Sequence, residues 1–372
     1  MSITGKDELP PCYSALLSTV LLLLSCYCLS PSLHSQEQPA PPVTWDGWIL
    51  PASADNAQPV WGIAGGLSVG LWMGRGPRGL IRIYTPYIGQ PAGRVLNFIA
   101  VEPIITKKRG FSELEHSDLD NRRGKAMWTA TKMSETAAVP RGHFEPAQPQ
   151  FVKNSDTEEM IFYVYVEPYR SGARPVIQVI LCRERPHEVK FRLYSADGGV
   201  PMRTCILTAT MGNYARLRHL WLQAEVVSSR LLWPDFNSRG PLFEGFAPHK
   251  SWSVNKLATI DELVIAAATT DEAVPARATY KENVPPGWRY QGRTATQYWR
   301  APRHPKLVVR VNGRTTYYGN HTEIPGGIAY ENFEMEVPFQ SGQEFVFGVT
   351  PSPPWILGGF DEQWKHKITD GR

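Results

Sequence analysis

Cysteine is scarce where a fold would use it. Of the five in the 372-residue chain, Cys12, Cys26 and Cys28 lie ahead of Ser30, and only Cys182 and Cys205 follow. No C-x-x-C pair occurs, which excludes a disulfide framework and a zinc cluster of that kind. Cys182 and Cys205 either pair across neighbouring strands or stand as two buried thiols. Long apolar runs are missing too. The one candidate, "ALLSTVLLLLSCYCL" from Ala15 to Leu29, is too short to span a bilayer comfortably. Runs of basic charge are absent: the net charge of +4 is scattered, whereas a nucleic-acid surface needs a concentrated stripe. Nucleic acid is therefore not an expected partner.

The Ala15–Leu29 run suits the apolar region of an export signal, with cleavage near Ser35, although Lys6 is followed by Asp7 and Glu8. The alternative is a lipid anchor, because "LLSC" ending at Cys26 resembles a lipoprotein processing site. Membrane contact is expected only in that case. The expected organisation is an export signal over 1–35, a Pro-rich linker over 36–44 and one large β domain over 45–372. A hydrophobic fraction of 42% with 20% charged residues makes that domain globular rather than disordered.

From Trp45 onward, Gly and Pro punctuate short apolar segments. "MIFYVYVEPY" (Met160–Tyr169), "PVIQVILCRE" (Pro175–Glu184) and "HEVKFRLYS" (His187–Ser195) read as consecutive antiparallel strands. In the third, Val189, Phe191 and Leu193 alternate with Lys190, Arg192 and Tyr194, one face for the core and one for water. Asn312-Gly313, between two β-rich arms, predicts a type I′ hairpin turn. "YARLRHLWLQAEVV" fits a helix or a long strand, and the threonine-rich stretch before it favours strand. "VNKLATIDELVIAAATTDEAV" is expected to begin or end with one helical turn. No helix–strand alternation and no internal repeat occurs. The fold class is all-β, an antiparallel sandwich with few short helices.

Four stretches carry candidate chemistry. "GRGPRGLIRIY" has no Lys-Ser/Thr pair and runs into a strand, so it is not a nucleotide-phosphate loop. It reads as a strand-connecting turn whose Arg75 and Arg78 project, with Arg82 on the same strand face as Tyr84, as arms for a carboxylate or sulfate. "TATMGNYARLRHLWL" groups Asn213, Tyr214, Arg216, Arg218 and His219. As a strand it would put Tyr214, Arg216 and Arg218 on one face, where arginine neutralises a carboxylate and tyrosine or histidine moves a proton. In "IPGGIAYENFEMEVPF", Glu334 and Glu336 share a face while Glu331 stands near them, a pattern expected of an exposed face rather than of a hydrolytic pair. "HSDLDNRRGK" offers Asp118 and Asp120, which depart from calcium-loop spacing and leave calcium a weak option.

Twelve tryptophans are many for this length, and several sit in loop-like contexts. Trp72, Trp288 and Trp299 are candidates for stacking against sugar rings, with "GWRYQGRTATQYWRAP" the most platform-like stretch.

An exported, Trp-rich, all-β chain with "TATMGNYARLRHLWL" and "IPGGIAYENFE" as its distinctive segments resembles the galactose-mutarotase-like β-supersandwich proteins of carbohydrate metabolism, over roughly residues 45 to 350. The resemblance implies carbohydrate as partner. That family includes sugar epimerases, polysaccharide lyases and non-catalytic sugar-binding domains, so fold alone does not choose among them. The expected function is an exported carbohydrate-active protein, foremost a lyase on uronate-containing polysaccharide. In it Arg216 or Arg218 meets the carboxylate, Tyr214 or His219 moves the proton, and Asn213, Arg75, Arg78, Arg82, Trp72, Trp288, Trp299 and Glu334 hold substrate. The alternatives are a non-catalytic glycan-binding or cell-surface structural protein and, more weakly, a glycoside hydrolase using Glu102 or Glu334.

Overall fold

The segments rich in β-branched and aromatic residues become strands, and the alternation of their side chains sorts them into two sheets around a shared core. The computed structural model describes residues 43–52, 58–72, 78–86, 95–106, 113–134, 145–210, 216–238, 245–270, 295–317 and 322–361. In chain order the strands are β1 (Val43–Trp45), β2 (Trp48–Leu50), β3 (Val60–Ile63), β4 (Ser68–Gly70), β5 (Ile81–Tyr84), β6 (Val95–Ile104), β7 (Met127–Ala130), β8 (Gln150–Lys153), β9 (Glu158–Val166), β10 (Pro175–Cys182) and β11 (Glu188–Ser195). They continue with β12 (Thr204–Thr210), β13 (His219–Trp221), β14 (Val226–Ser228), β15 (Lys250–Ser253), β16 (Ala258–Ile260), β17 (Leu263–Thr269), β18 (Thr296–Pro302), β19 (Val308–Arg314), β20 (Ala329–Pro338) and β21 (Gln343–Thr350). One helical turn, α1 (Ser229–Leu232), follows β14.

The first sheet has ten strands in the order β1-β2-β3-β4-β5-β6-β12-β20-β19-β15. The second has eleven: β14-β13-β17-β18-β21-β11-β10-β9-β7, with β16 beside β17 and β8 beside β9. The pairings that set both orders are antiparallel, for example β12 with β6 and β20, and β10 with β9 and β11. The molecule is an antiparallel β-sandwich. Among the described residues no helix is long and apolar enough to cross a membrane.

The core lies where the inward faces meet. Val189, Phe191 and Leu193 are buried as their alternation predicts, and Leu207, Ala209, Phe333, Met335 and Val337 face them from the first sheet. Burying each large side chain contributes about 1.5–3 kcal/mol. Trp61 of β3 stacks on Phe162 of β9 at 4.4 Å, ring against ring across the sheets. Trp299 of β18 is fully buried, and its Nε1 donates to the Phe333 carbonyl of β20 at 3.0 Å. It is a core residue with a satisfied indole N–H, which corrects its placement among the sugar platforms. A polar pair also crosses the core: Asn97 Nδ2 of β6 donates to Gln297 Oε1 of β18 at 2.8 Å. Cys182 and Cys205 are free thiols, and burial pushes the Cys205 thiol up to about 12.

Two local expectations change. Asn312-Gly313 is no hairpin turn: both residues lie inside β19, and a bulge falls between Val311 and Gly313. "YARLRHLWLQAEVV" is not one long strand. Arg216 takes a left-handed φ of 42°, and among the described residues here the strands are His219–Trp221 and Val226–Ser228, paired as a hairpin. The segment crosses between sheets: the Leu217 carbonyl accepts from Tyr330 of the first, and the Arg218 N–H donates to Thr269 of the second. The helical turn expected beside "KLATIDELV" is present as a 3-10 turn over Val254–Lys256.

The stretch around "HSDLDNRRGK" is a charged clasp. Lys125, 1% exposed, reaches Asp118 at 2.7 Å and Glu167 at 3.3 Å. Glu167 is fully buried and accepts from Ser117 Oγ and from the Asp118 and Ala126 N–H groups. Arg170 also holds Asp118, at 2.6 Å, and Arg78 grips Asp120 through two bonds of 2.6 and 2.8 Å. Gly124, at φ 82°, lets the clasp close, because a Cβ there would stand 2.3 Å from the Arg78 carbonyl oxygen. Lys125→Met should destabilise the protein by about 3–5 kcal/mol, since it strands a buried carboxylate. Urea denaturation reads this directly, and an unchanged midpoint would show that Glu167 does not need its cation.

Candidate functional site

Alternation along the central strands of the first sheet decides which residues face outward. With Ile81, Ile83, Ile99, Val101, Leu207, Ala209, Phe333 and Met335 in the core, Arg82, Phe98, Thr208, Thr210, Asn332 and Glu334 are left on the opposite face. The register aligns them: Arg82 stands opposite Phe98, Phe98 opposite Thr210, and Thr210 opposite Asn332. Beyond Asn332 comes Asn312, the bulge residue of β19, and then His249, which directly precedes β15. A polar row thus runs across the sheet from β5 to the start of β15. Five strand spacings of about 4.8 Å give it a length of about 24 Å.

Hydrogen bonds join the middle of the row, through Thr210, Asn332 and Asn312. Thr210 Oγ1 donates to Asn332 Oδ1 at 3.2 Å, and the Asn332 N–H donates to Asn312 Oδ1 at 3.0 Å. His249 Nε2 lies 3.3 Å from Glu334 Oε1 and 3.5 Å from Asn312 Nδ2. A carboxylate at that nitrogen selects the Nε2–H tautomer, so Nδ1 is the basic nitrogen. Glu334 is fully buried while the His249 side chain is 36% exposed, the arrangement of an accessible base oriented by a hidden acid. Asn332 is half-buried, and its Nδ2 gives no hydrogen bond to any described residue. It remains a donor for a ligand.

At the far end of the row Arg82 lies against Trp72 and Phe98, with its guanidinium carbon 5.3 and 5.5 Å from their ring centres. Burial lowers its pKa to about 10, with neighbouring Tyr84 opposing, so it stays a cation at neutral pH. In the adjoining row Thr208 stands opposite Glu334, and Arg310 meets Glu336 at 2.7 Å.

A second cluster sits at the end of the sandwich where β20 begins. Arg218 is fully buried and donates to the Pro325 carbonyl at 2.5 Å. Arg230 holds the neighbouring Gly326 carbonyl at 3.0 Å, so "IPGG" is gripped by two guanidiniums. Gly326 has φ 83°, and a Cβ there would stand 3.1 Å from Arg218 Nη2. Arg314 bonds the Thr316 carbonyl and hydroxyl and lies over the Phe246 ring. Glu331 is 4% exposed; burial raises its pKa to about 7, partly opposed by Arg314, and no described residue gives its carboxyl a hydrogen bond.

The structure therefore brings Arg82, Trp72 and Glu334 to one face of the first sheet and separates others from it. Arg78 is buried on Asp120 and is no projecting arm. Arg218 serves the "IPGG" loop, and Arg216 is buried beside it in sequence. His219 shares a strand face with Trp221, which packs with Ile265 and Tyr298 on the outer side of the second sheet, so it does not join Arg218. The expected exposed face of Glu331 and Glu334 is wrong, since both are buried. Asp118 and Asp120 are taken up by cations, and among the described residues no group of three or more His, Cys, Asp or Glu is placed to hold a metal. Arg75, Asn213, Tyr214 and Trp288 lie outside the described residues. Sequence reasoning missed His249 and the role of Asn312; an asparagine in a bulge beside a histidine is a signal only once strands are paired.

Glu331 generates a stability prediction. Its folded pKa lies above the unfolded value, so folding binds a proton, and stability falls as pH rises from about 4.5 to about 7. The loss is at most about 3 kcal/mol. Melting curves should show wild type losing stability over that interval relative to Glu331→Gln; parallel curves would contradict a raised pKa. No protein-family model and no curated protein matches this chain.

Proposed function

We propose that the chain is an exported carbohydrate-active protein that lays an acidic, uronate-containing polysaccharide across the outer face of its first sheet and cleaves it by β-elimination. The observation that carries the reading is His249 on the buried Glu334, set in a polar row long enough for several sugar units. Asn332 Nδ2 donates to the uronate carboxylate, which acidifies the adjacent C–H. His249 Nδ1 takes that proton, the C–H electrons form the new double bond, and the glycosidic C–O bond beyond it breaks. The departing oxygen recovers the proton, which returns His249 to its neutral state. Trp72, half-buried against the buried Arg82, offers a separate stacking surface for another ring of the same polymer.

Non-catalytic glycan binding is the second reading. It is favoured by the burial of Arg216 and Arg218, which removes two cations expected at the reacting sugar. Hydrolysis draws less support, because Glu334 is taken up by His249 and Glu336 by Arg310.

The test is incubation with a panel of uronate and neutral polysaccharides, reading ultraviolet absorbance and new reducing ends together. The lyase reading predicts an absorbing product from uronate polymers. His249→Ala should cut that rate by about 10²–10⁴-fold with binding nearly intact, and Glu334→Gln should cut it less. Reducing ends without absorbance would replace elimination by hydrolysis; binding without product would leave the non-catalytic reading.

A further inference from the structure

The outer face of the second sheet carries an aromatic surface that belongs to neither cluster above. With Phe162, Val164, Ile177, Val179, Phe191 and Leu193 in the core, the residues between them on β9, β10 and β11 face away from it. They form a separate cluster in which Trp128, Tyr165 and Val176 are buried and Tyr163 and Tyr194 half-buried. The register sets Tyr163 opposite Gln178, Gln178 opposite Arg192, and Arg192 opposite Glu344. Tyr165, Val176 and Tyr194 form the adjacent row. Trp128 and Tyr165 stack nearly parallel at 5.8 Å, and the Tyr165 hydroxyl is taken up by Ser134.

Gln178 organises the two remaining tyrosines. Its Nε2 donates to the Tyr163 hydroxyl at 2.7 Å, and its Oε1 accepts from the Tyr194 hydroxyl at 3.4 Å. Gln178 is 7% exposed, which holds its amide between the two hydroxyls. The bonds polarise the pair oppositely. Tyr163 receives a proton and, among the described residues, gives its own to none, so it presents a donor. Tyr194 gives its proton inward and presents an acceptor. Burial raises the Tyr163 pKa, which keeps that donor protonated. The flanking charges cancel: Arg192 donates to Glu344 at 3.0 Å, and Lys190 lies 3.6 Å from Glu159 and 3.7 Å from Glu344.

A donor and an acceptor side by side, with aromatic surface around them and no net charge, match hydroxyls on a sugar ring. A charged peptide or a polyanion would instead require unspent charge. We infer that the hydrogen-bonded Tyr163–Gln178–Tyr194 cluster is a second glycan-binding surface, which holds a polysaccharide through its hydroxyls, independently of any turnover at His249.

Retention of the full chain on insoluble neutral and uronate polysaccharides tests this, with His249→Ala as background so that substrate is not consumed. The cluster predicts retention by both kinds of polymer, little weakened by salt because no charge is engaged. Tyr163→Phe combined with Tyr194→Phe keeps both rings and should weaken retention on the neutral polymer at least about fivefold. In the unsubstituted protein, bound neutral polysaccharide should slow nitration of Tyr163 and Tyr194, a reading that does not depend on how the variant folds. Full retention of the double variant, absence of retention on any neutral polymer, or unprotected tyrosines would each overturn the inference. None of those results touches the elimination chemistry assigned to His249, which the product assay reads separately.

Discussion

Register along β6, β12 and β20 is the constraint on which the molecule depends. These strands lie at the centre of the first sheet, and a slip of one residue would exchange their faces. Phe333 and Met335 would then leave the core, and Glu334 would enter it without His249. The apolar side drives the sandwich together, and its tight packing fixes the polar side. The order of the row from Arg82 to His249 is therefore a consequence of core packing, without needing a loop to place each group.

Burying so much sheet also forces the protein to settle its charges internally. Lys125, Arg78 and Arg218 are nearly or wholly buried, each with a carboxylate or carbonyl in reach. Arginines that look like acid-binding arms in the sequence are thereby used to close the fold. Arg82, Arg216 and Arg314 are buried as well, so the cations nearest the core serve the fold.

The strand content was legible because its signals are local: β11 follows from apolar residues spaced by two, and β9 and β10 from short apolar runs bounded by turn residues. What depends on a distant partner was not. Trp299 resembled a loop tryptophan until Phe333 supplied its acceptor, thirty-four residues away. Asn312-Gly313 has the chemistry of a turn, but the strand continues through it because the Asn312 side chain bonds the Asn332 backbone. Glu334 and Glu336 alternate as exposed acids do, and only pairing to β12 and β19, with His249 beyond, buries one of them. Half of the candidate site, Arg82, Trp72 and Glu334, was in view as separate residues. Its geometry, and the place of His249 beside Glu334, required the sheet.

Hydrogen-exchange mass spectrometry with and without an oligouronate tests the central claim most directly, that the outer face of the first sheet is where an acidic glycan lies. The account predicts slowed exchange in the peptides of β6, β12, β19 and β20 and in the segment around His249. Protection confined to the second sheet, or none at a concentration where binding is established by another method, would contradict it.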